Sequence, residues 1–112
     1  MALTLNTRRG KWYASGTILQ ATGTLSGNWE HVDGVYPVTV TVDGGGSWTV
    51  TLYATNATTA PTDADSLHGV LATFTNAPGT YVINAPFEFI KAAATAFISG
   101  SVTVLVQAAP TA

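Results

Sequence analysis

The sequence predicts an all-β chain folded as a single antiparallel β-sandwich, and three observations carry that prediction. Apolar residues recur with period two in short runs rich in Val, Ile, Thr and aromatic residues. The runs are bounded by Gly, Pro, Asn and Asp, which turn a chain for stereochemical reasons. Spacing of three and four residues, the mark of an amphipathic helix, is nearly absent. The chain has 112 residues, 46% of them hydrophobic, which is material for one domain with one core, since domains cluster at roughly 100 to 150 residues.

The first thirteen residues precede the first clear strand. They mix Arg8, Arg9 and Lys11, three of the four basic residues, with Leu3, Leu5, Trp12 and Tyr13. Too few apolar neighbours surround them for independent folding, so residues 1–13 read as an N-terminal arm for an acidic, apolar partner surface. As a nucleic-acid patch the cluster is too small, and a net charge of −2 gives no reason to seek phosphate. Residues 16–24 and, more weakly, 29–32 read as the first strands.

The clearest unit spans residues 37–54. Val38, Val40 and Val42 alternate with threonines, then Trp48, Val50, Leu52 and Ala54 alternate with Thr49, Thr51 and Tyr53, so one face is apolar and the other threonine-rich. The intervening Asp43-Gly44-Gly45-Gly46-Ser47 fits a five-residue hairpin loop that would set Val42 opposite Trp48, Val40 opposite Val50 and Val38 opposite Leu52. Residues 70–75 and 80–84 read as strands joined by the turn Asn76-Ala77-Pro78-Gly79. In residues 87–108, Ile90, Ala92, Ala94, Ala96 and Ile98 share one face and Phe87, Phe89, Lys91, Ala93, Thr95 and Phe97 the other. The alanines favour a helix by propensity, but the flanking Phe, Ile and Val residues and Ser99-Gly100-Ser101 favour strand, turn, strand. That gives six to eight strands, with residues 55–66 as the longest loop.

Only 9% of the residues are charged, against roughly 25% in ordinary soluble domains. Thr, Ser and Gly take the polar role, the composition of a part built to be assembled. The longest nearly apolar stretch, residues 90–98, contains Lys91 and is far short of the ~20 residues of a membrane helix. The N-terminus has its basic residues after its apolar ones, the wrong order for a secretory signal. With no cysteine, no disulfide or thiolate site exists. Synthesis and folding in a cytoplasm are expected, and Asn56-Ala57-Thr58 reads as a chance glycosylation sequon.

Each chemical constellation has a simpler reading. His31 lies near Glu30 and Asp33, and His68 near Asp63 and Asp65, but metal sites want three or four converging ligands with support behind them; solvated loops are the expectation, with no metal or cofactor. The six acids fall in turns or at strand ends and no nucleophile elbow occurs, so no enzymatic activity is expected. Gly44-Gly45-Gly46 has no helix or lysine after it to cradle a phosphate. Trp12, Trp29 and Trp48, with Tyr13, Tyr36, Tyr53 and Tyr81, offer faces for a sugar platform. Trp48 alternates in phase with Val50 and Leu52 and belongs in the core, which leaves Trp12 and Trp29 as interface candidates. The partner-binding set is therefore Arg8, Arg9, Lys11, Trp12, Tyr13 and Trp29.

Residues 47–107 resemble a β-sandwich module of tailed-bacteriophage virion proteins. The resemblance rests on Trp48-Thr-Val-Thr-Leu-Tyr-Ala-Thr-Asn56, on Leu71-Ala-Thr-Phe-Thr75, and on the run from Pro86 to Val104 with its aromatic, aliphatic, basic and small residues closed by Ser-Gly and Val-Thr-Val. Ala93 stands where a second basic residue is common in the family, which weakens any role for a charged face there. The resemblance implies a jelly-roll-like sandwich and a capsid decoration (cement) protein located at the capsid surface. Its implied partners are the major capsid protein and copies of itself, with a trimer favoured by analogy. The alternative is a receptor- or carbohydrate-binding module of a head or tail appendage.

Overall fold

Two long strands organise the chain. The computed structural model describes residues 4–8, 11–32, 34, 37–57, 59 and 69–108. Among these, eight strands form in the order β1 (Thr4–Arg8), β2 (Lys11–Ala21), β3 (Leu25–Ser26), β4 (Glu30–His31), β5 (Val38–Thr55), β6 (Gly69–Thr75), β7 (Gly79–Ile83) and β8 (Phe89–Ala108). β5 and β8 pair antiparallel along their whole length, from Val38 opposite Ala108 to Thr55 opposite Phe89.

This ribbon bends at its middle, where Gly45 pairs Ser101 and Gly46 pairs Gly100. Gly46 and Gly100 have φ of 111° and 91°, values that side-chain-bearing residues rarely adopt. A Cβ on Gly46 would collide with the Ser99 carbonyl, and one on Gly100 with the Gly45 carbonyl. The bend lets both strands pass from one layer to the other without a loop, the way strands turn the corner between packed sheets.

Each half of the ribbon then recruits its own edges. In the first layer, residues 102–108 of β8 pair β2 while residues 38–42 of β5 pair β7. In the second, residues 89–94 of β8 pair β3 and β4 while residues 49–54 of β5 pair β6. Gly27 N donates to Ala92 O at 2.9 Å and Val32 N to Glu88 O at 2.9 Å, so β3 and β4 read as one interrupted edge strand. The resulting orders, β2, β8, β5, β7 and β3/β4, β8, β5, β6, are those of a jelly roll. The shortest dimension, 21 Å, is that of two sheets about 10 Å apart with side chains outside them.

The predicted apolar faces meet between the layers. Val38, Val40, Val42, Trp48, Val50, Leu52 and Ala54 are all buried, with Ile18, Leu19, Ile90, Ala92, Ala94, Val102, Val104 and Val106. Their connection differs from the expectation. Residues 37–54 form no hairpin: Val42 pairs Val104 and Gly79, while Val50 pairs Ala94 and Phe74, so the two valine-bearing halves face each other across the core. Ser99-Gly100-Ser101 is likewise a bend and not a turn. A glycine cluster permits either outcome, and long-range pairing with a second glycine decides it.

A second difference lies in β8. Thr95 and Ile98 have no partner in the register with β5, and each extra residue reverses which face the following side chains take. Ala96 and Ile98, expected to share a face with Ile90, Ala92 and Ala94, are exposed while those three are buried, and Phe97 packs against the core. The 70–75 and 80–84 strands appear as β6 and β7. Between them Asn76, at φ 57°, accepts from Trp48 N through Oδ1 at 2.7 Å and donates its own N to Trp48 O at 2.9 Å. One turn residue thereby serves as a strand partner for the residue at the head of the second layer.

The arm expectation also changes. Thr4–Arg8 and Lys11–Ala21 form a hairpin, Thr4 opposite Ser15 and Arg8 opposite Lys11. Pairing of β2 with β8 begins only at Ala14 opposite Ala108, so residues 11–13 pair with β1 alone, beyond the described end of β8. The segment is a paired hairpin continuous with the first layer. Arg9 lies outside the described residues.

Candidate functional site

The outer face of the second layer carries the chain's densest group of chemically distinctive side chains. Leu52, Ala54, Ile90 and Ala92 point inward, so by alternation Tyr53 and Lys91 point outward. The register sets Tyr53 directly opposite Lys91 and opposite Val70 on its other side. Glu30 pairs Ile90, which brings Trp29 level with Lys91. The result is a row across the layer: Trp29, Lys91, Tyr53, Val70.

Lys91 is only 7% exposed. Its Nζ lies 5.5 Å from the Trp29 ring centroid and 5.9 Å from that of Tyr53, within the range of cation–π attraction. The next row toward the bend is small and hydroxylic: Ser26 opposite Ala93, and Ala93 opposite Thr51, with the Thr51 and Thr95 hydroxyls 3.3 Å apart. Between this floor and the Lys91 row lies an open depression of about 360 Å³, with Thr24, Leu25, Ser26 and Thr95 on its rim.

The row on the far side holds His31, whose ring stacks on Phe89 at 4.7 Å between centroids and whose Nε2 lies 3.2 Å from Glu88 Oε2. Glu30 is buried while His31 is exposed, so the two point to opposite sides of β4 and do not converge. Among the described residues no three His, Cys, Asp or Glu side chains gather as metal ligands. Asp33, Asp63, Asp65 and His68 lie outside the described residues.

Of the partner-binding set, Trp29 is the described residue that enters this row, and Tyr53 joins it from the aromatics considered for a sugar platform. Arg8, Lys11, Trp12 and Tyr13 lie on the β1–β2 hairpin of the first layer, so the structure separates Trp29 from the rest of that set. The reading missed Lys91 and Tyr53 as a pair. Each was on an outward face by alternation, but they are 38 positions apart, and only the β5–β8 register joins them.

No family model matches the chain, and no curated protein matches it. Among solved structures it is similar to a chain described as "Carbohydrate binding module family29", at 17% identity and a TM-score of 0.42, covering 96% of this chain and 74% of that one. A likeness at that level carries no argument about function.

Proposed function

We propose that this chain is a non-catalytic structural protein of a bacteriophage virion that decorates the capsid and stabilises it, binding the major capsid protein and copies of itself. The observation that carries the reading is where charge is missing. β6 and β7 form the same side of the sandwich, one at the edge of each layer, and neither contains a charged residue. β8 carries none after Lys91. Edge strands of monomers are commonly guarded by charge, because their free backbone groups otherwise recruit another chain. Here Val70 and Val82 stand 62% and 54% exposed on those edges.

Such a side suits permanent contact. Apolar burial contributes to binding, and little is lost in stripping water from ions. Many copies, each bridging neighbouring subunits, hold every contact at high effective concentration, so modest single contacts add up to a reinforced shell. The family resemblance of residues 47–107 supports the phage setting, and a trimer follows that analogy. The test compares particles with and without the protein under heat or osmotic shock, with light scattering on the purified chain. A self-associating protein whose removal makes particles fragile is the expected result; a monomer whose removal changes nothing overturns the proposal.

A second reading, a carbohydrate- or receptor-binding module of a virion appendage, is favoured by the Trp29, Lys91 and Tyr53 row beside an open depression.

A further inference from the structure

We infer that the depression beside Lys91 binds an acidic saccharide, a sugar ring carrying one negative charge, with the Lys91 ammonium as its counter-ion. The inference rests on the second reading above and names its ligand class.

A lysine so little exposed is costly unless its charge is met. The rings of Trp29 and Tyr53 meet it in part through their electron-rich faces. A ring face is not a conventional acceptor for the ammonium's N–H groups. An oxygen acceptor entering the depression can bond them directly. The hydrogen bond it forms is charge-assisted and shielded from water on the ring side, the circumstance in which such bonds are strongest.

The rest of the wall describes the rest of the ligand. Thr24, Ser26 and Thr95 offer hydroxyls that both donate and accept, matching the mixed hydrogen bonding of sugar hydroxyls. Leu25 and Ala93 offer apolar surface for the C–H face of a ring. The volume of about 360 Å³ lies within the range of small-ligand sites. The single lysine sets the charge at one: phosphate sites draw on an arginine fork or a cluster of backbone N–H groups, and Lys91 is the only cation that the described residues place here. The residues lining the depression lie on or beside β3, β5 and β8 and include none from β6 or β7, so an attached sandwich can keep it open.

The test is a titration of the ¹⁵N-labelled full chain with glucuronate, glucose and acetate, followed by NMR. Glucuronate is expected to shift the amides of residues 24–26 and 91–95 and to bind at least about tenfold more tightly than glucose or acetate, with affinity falling as salt rises. Lys91→Met, checked for folding by circular dichroism, should lose that preference, and Lys91→Arg should keep most of it. Equal binding of glucose would overturn the acidic ligand and leave the glycan reading standing. Equal binding of acetate would reduce the site to a bare anion contact and overturn the inference. Absence of any shift with either sugar would overturn both the inference and the reading it rests on.

Discussion

The two layers of the sandwich are built alike inside and differently outside. The inner face of the first presents branched aliphatic residues, Val38, Val40, Val42, Val102, Val104 and Val106, while that of the second combines Trp48 and Leu52 with Ala54, Ala92 and Ala94. Both are tightly closed to water. Outside, the patch of Thr17, Thr39, Thr41, Leu105 and Gln107 at the middle of the first layer has no charge, whereas the second layer carries the Trp29, Lys91 and Tyr53 row and the His31–Glu88 pair. The difference teaches that both layers build the core while the distinctive chemistry gathers on one. The proposed ligand would choose one outer face, and the proposed neighbouring subunit the uncharged strands β6 and β7.

The comparison breaks most completely at the bend. Gly100→Val or Gly46→Val places a side chain against the carbonyl of the other strand at a positive φ, and the layers can then no longer share one ribbon. The expected cost exceeds about 4 kcal/mol, much of a domain's total stability, so these variants should appear unfolded by circular dichroism. A folded Gly100→Val protein would mean that the ribbon tolerates a different corner.

Trp48→Ala comes next. Trp48 is 2% exposed and is the one large ring among the alanines of the second layer, so denaturant unfolding should show a loss of roughly 3 to 5 kcal/mol. Its Nε1 has no hydrogen-bond partner among the described residues, and an unpaired buried donor is itself unfavourable. Trp48→Phe removes that donor, so it should cost less than half as much as the alanine change. A phenylalanine variant as unstable as the alanine one would show that the indole's size, and not its unmet N–H, governs the site.

Asn76→Ala should cost about 1 to 2 kcal/mol, from losing the bond to Trp48 N and because alanine tolerates positive φ less well than asparagine. Asn76→Gly keeps the backbone conformation and should cost less. If the two cost the same, the side-chain bond alone accounts for the effect.

Much of this organisation was legible in the sequence because alternation is local. The inward positions of β5, the β6 and β7 strands and the Asn76 turn all follow from neighbours within a few residues. The bend was not legible, because Gly44-Gly45-Gly46 has the local chemistry of a hairpin loop and its conformation depends on Gly100, more than fifty positions away. The reversal at Ala96 and Ile98 was hidden for a related reason. A bulge is fixed by the partner strand, and the alanine run itself contains no sign of it. The Lys91 row escaped because cross-strand proximity depends on register, so Trp29 was grouped with the hairpin residues as an aromatic outside the core alternation.

The smallest effect on stability is expected where the effect on assembly is largest. Val70→Lys with Val82→Lys places charge on two exposed edge positions and should change unfolding free energy by less than about 0.5 kcal/mol per site. Co-sedimentation of this double variant with particles stripped of the native protein is the most direct measurement of the proposed role. The account predicts a fully folded variant that fails to pellet with the particles while the unaltered chain does. Equal binding by both would contradict the uncharged side as the contact surface.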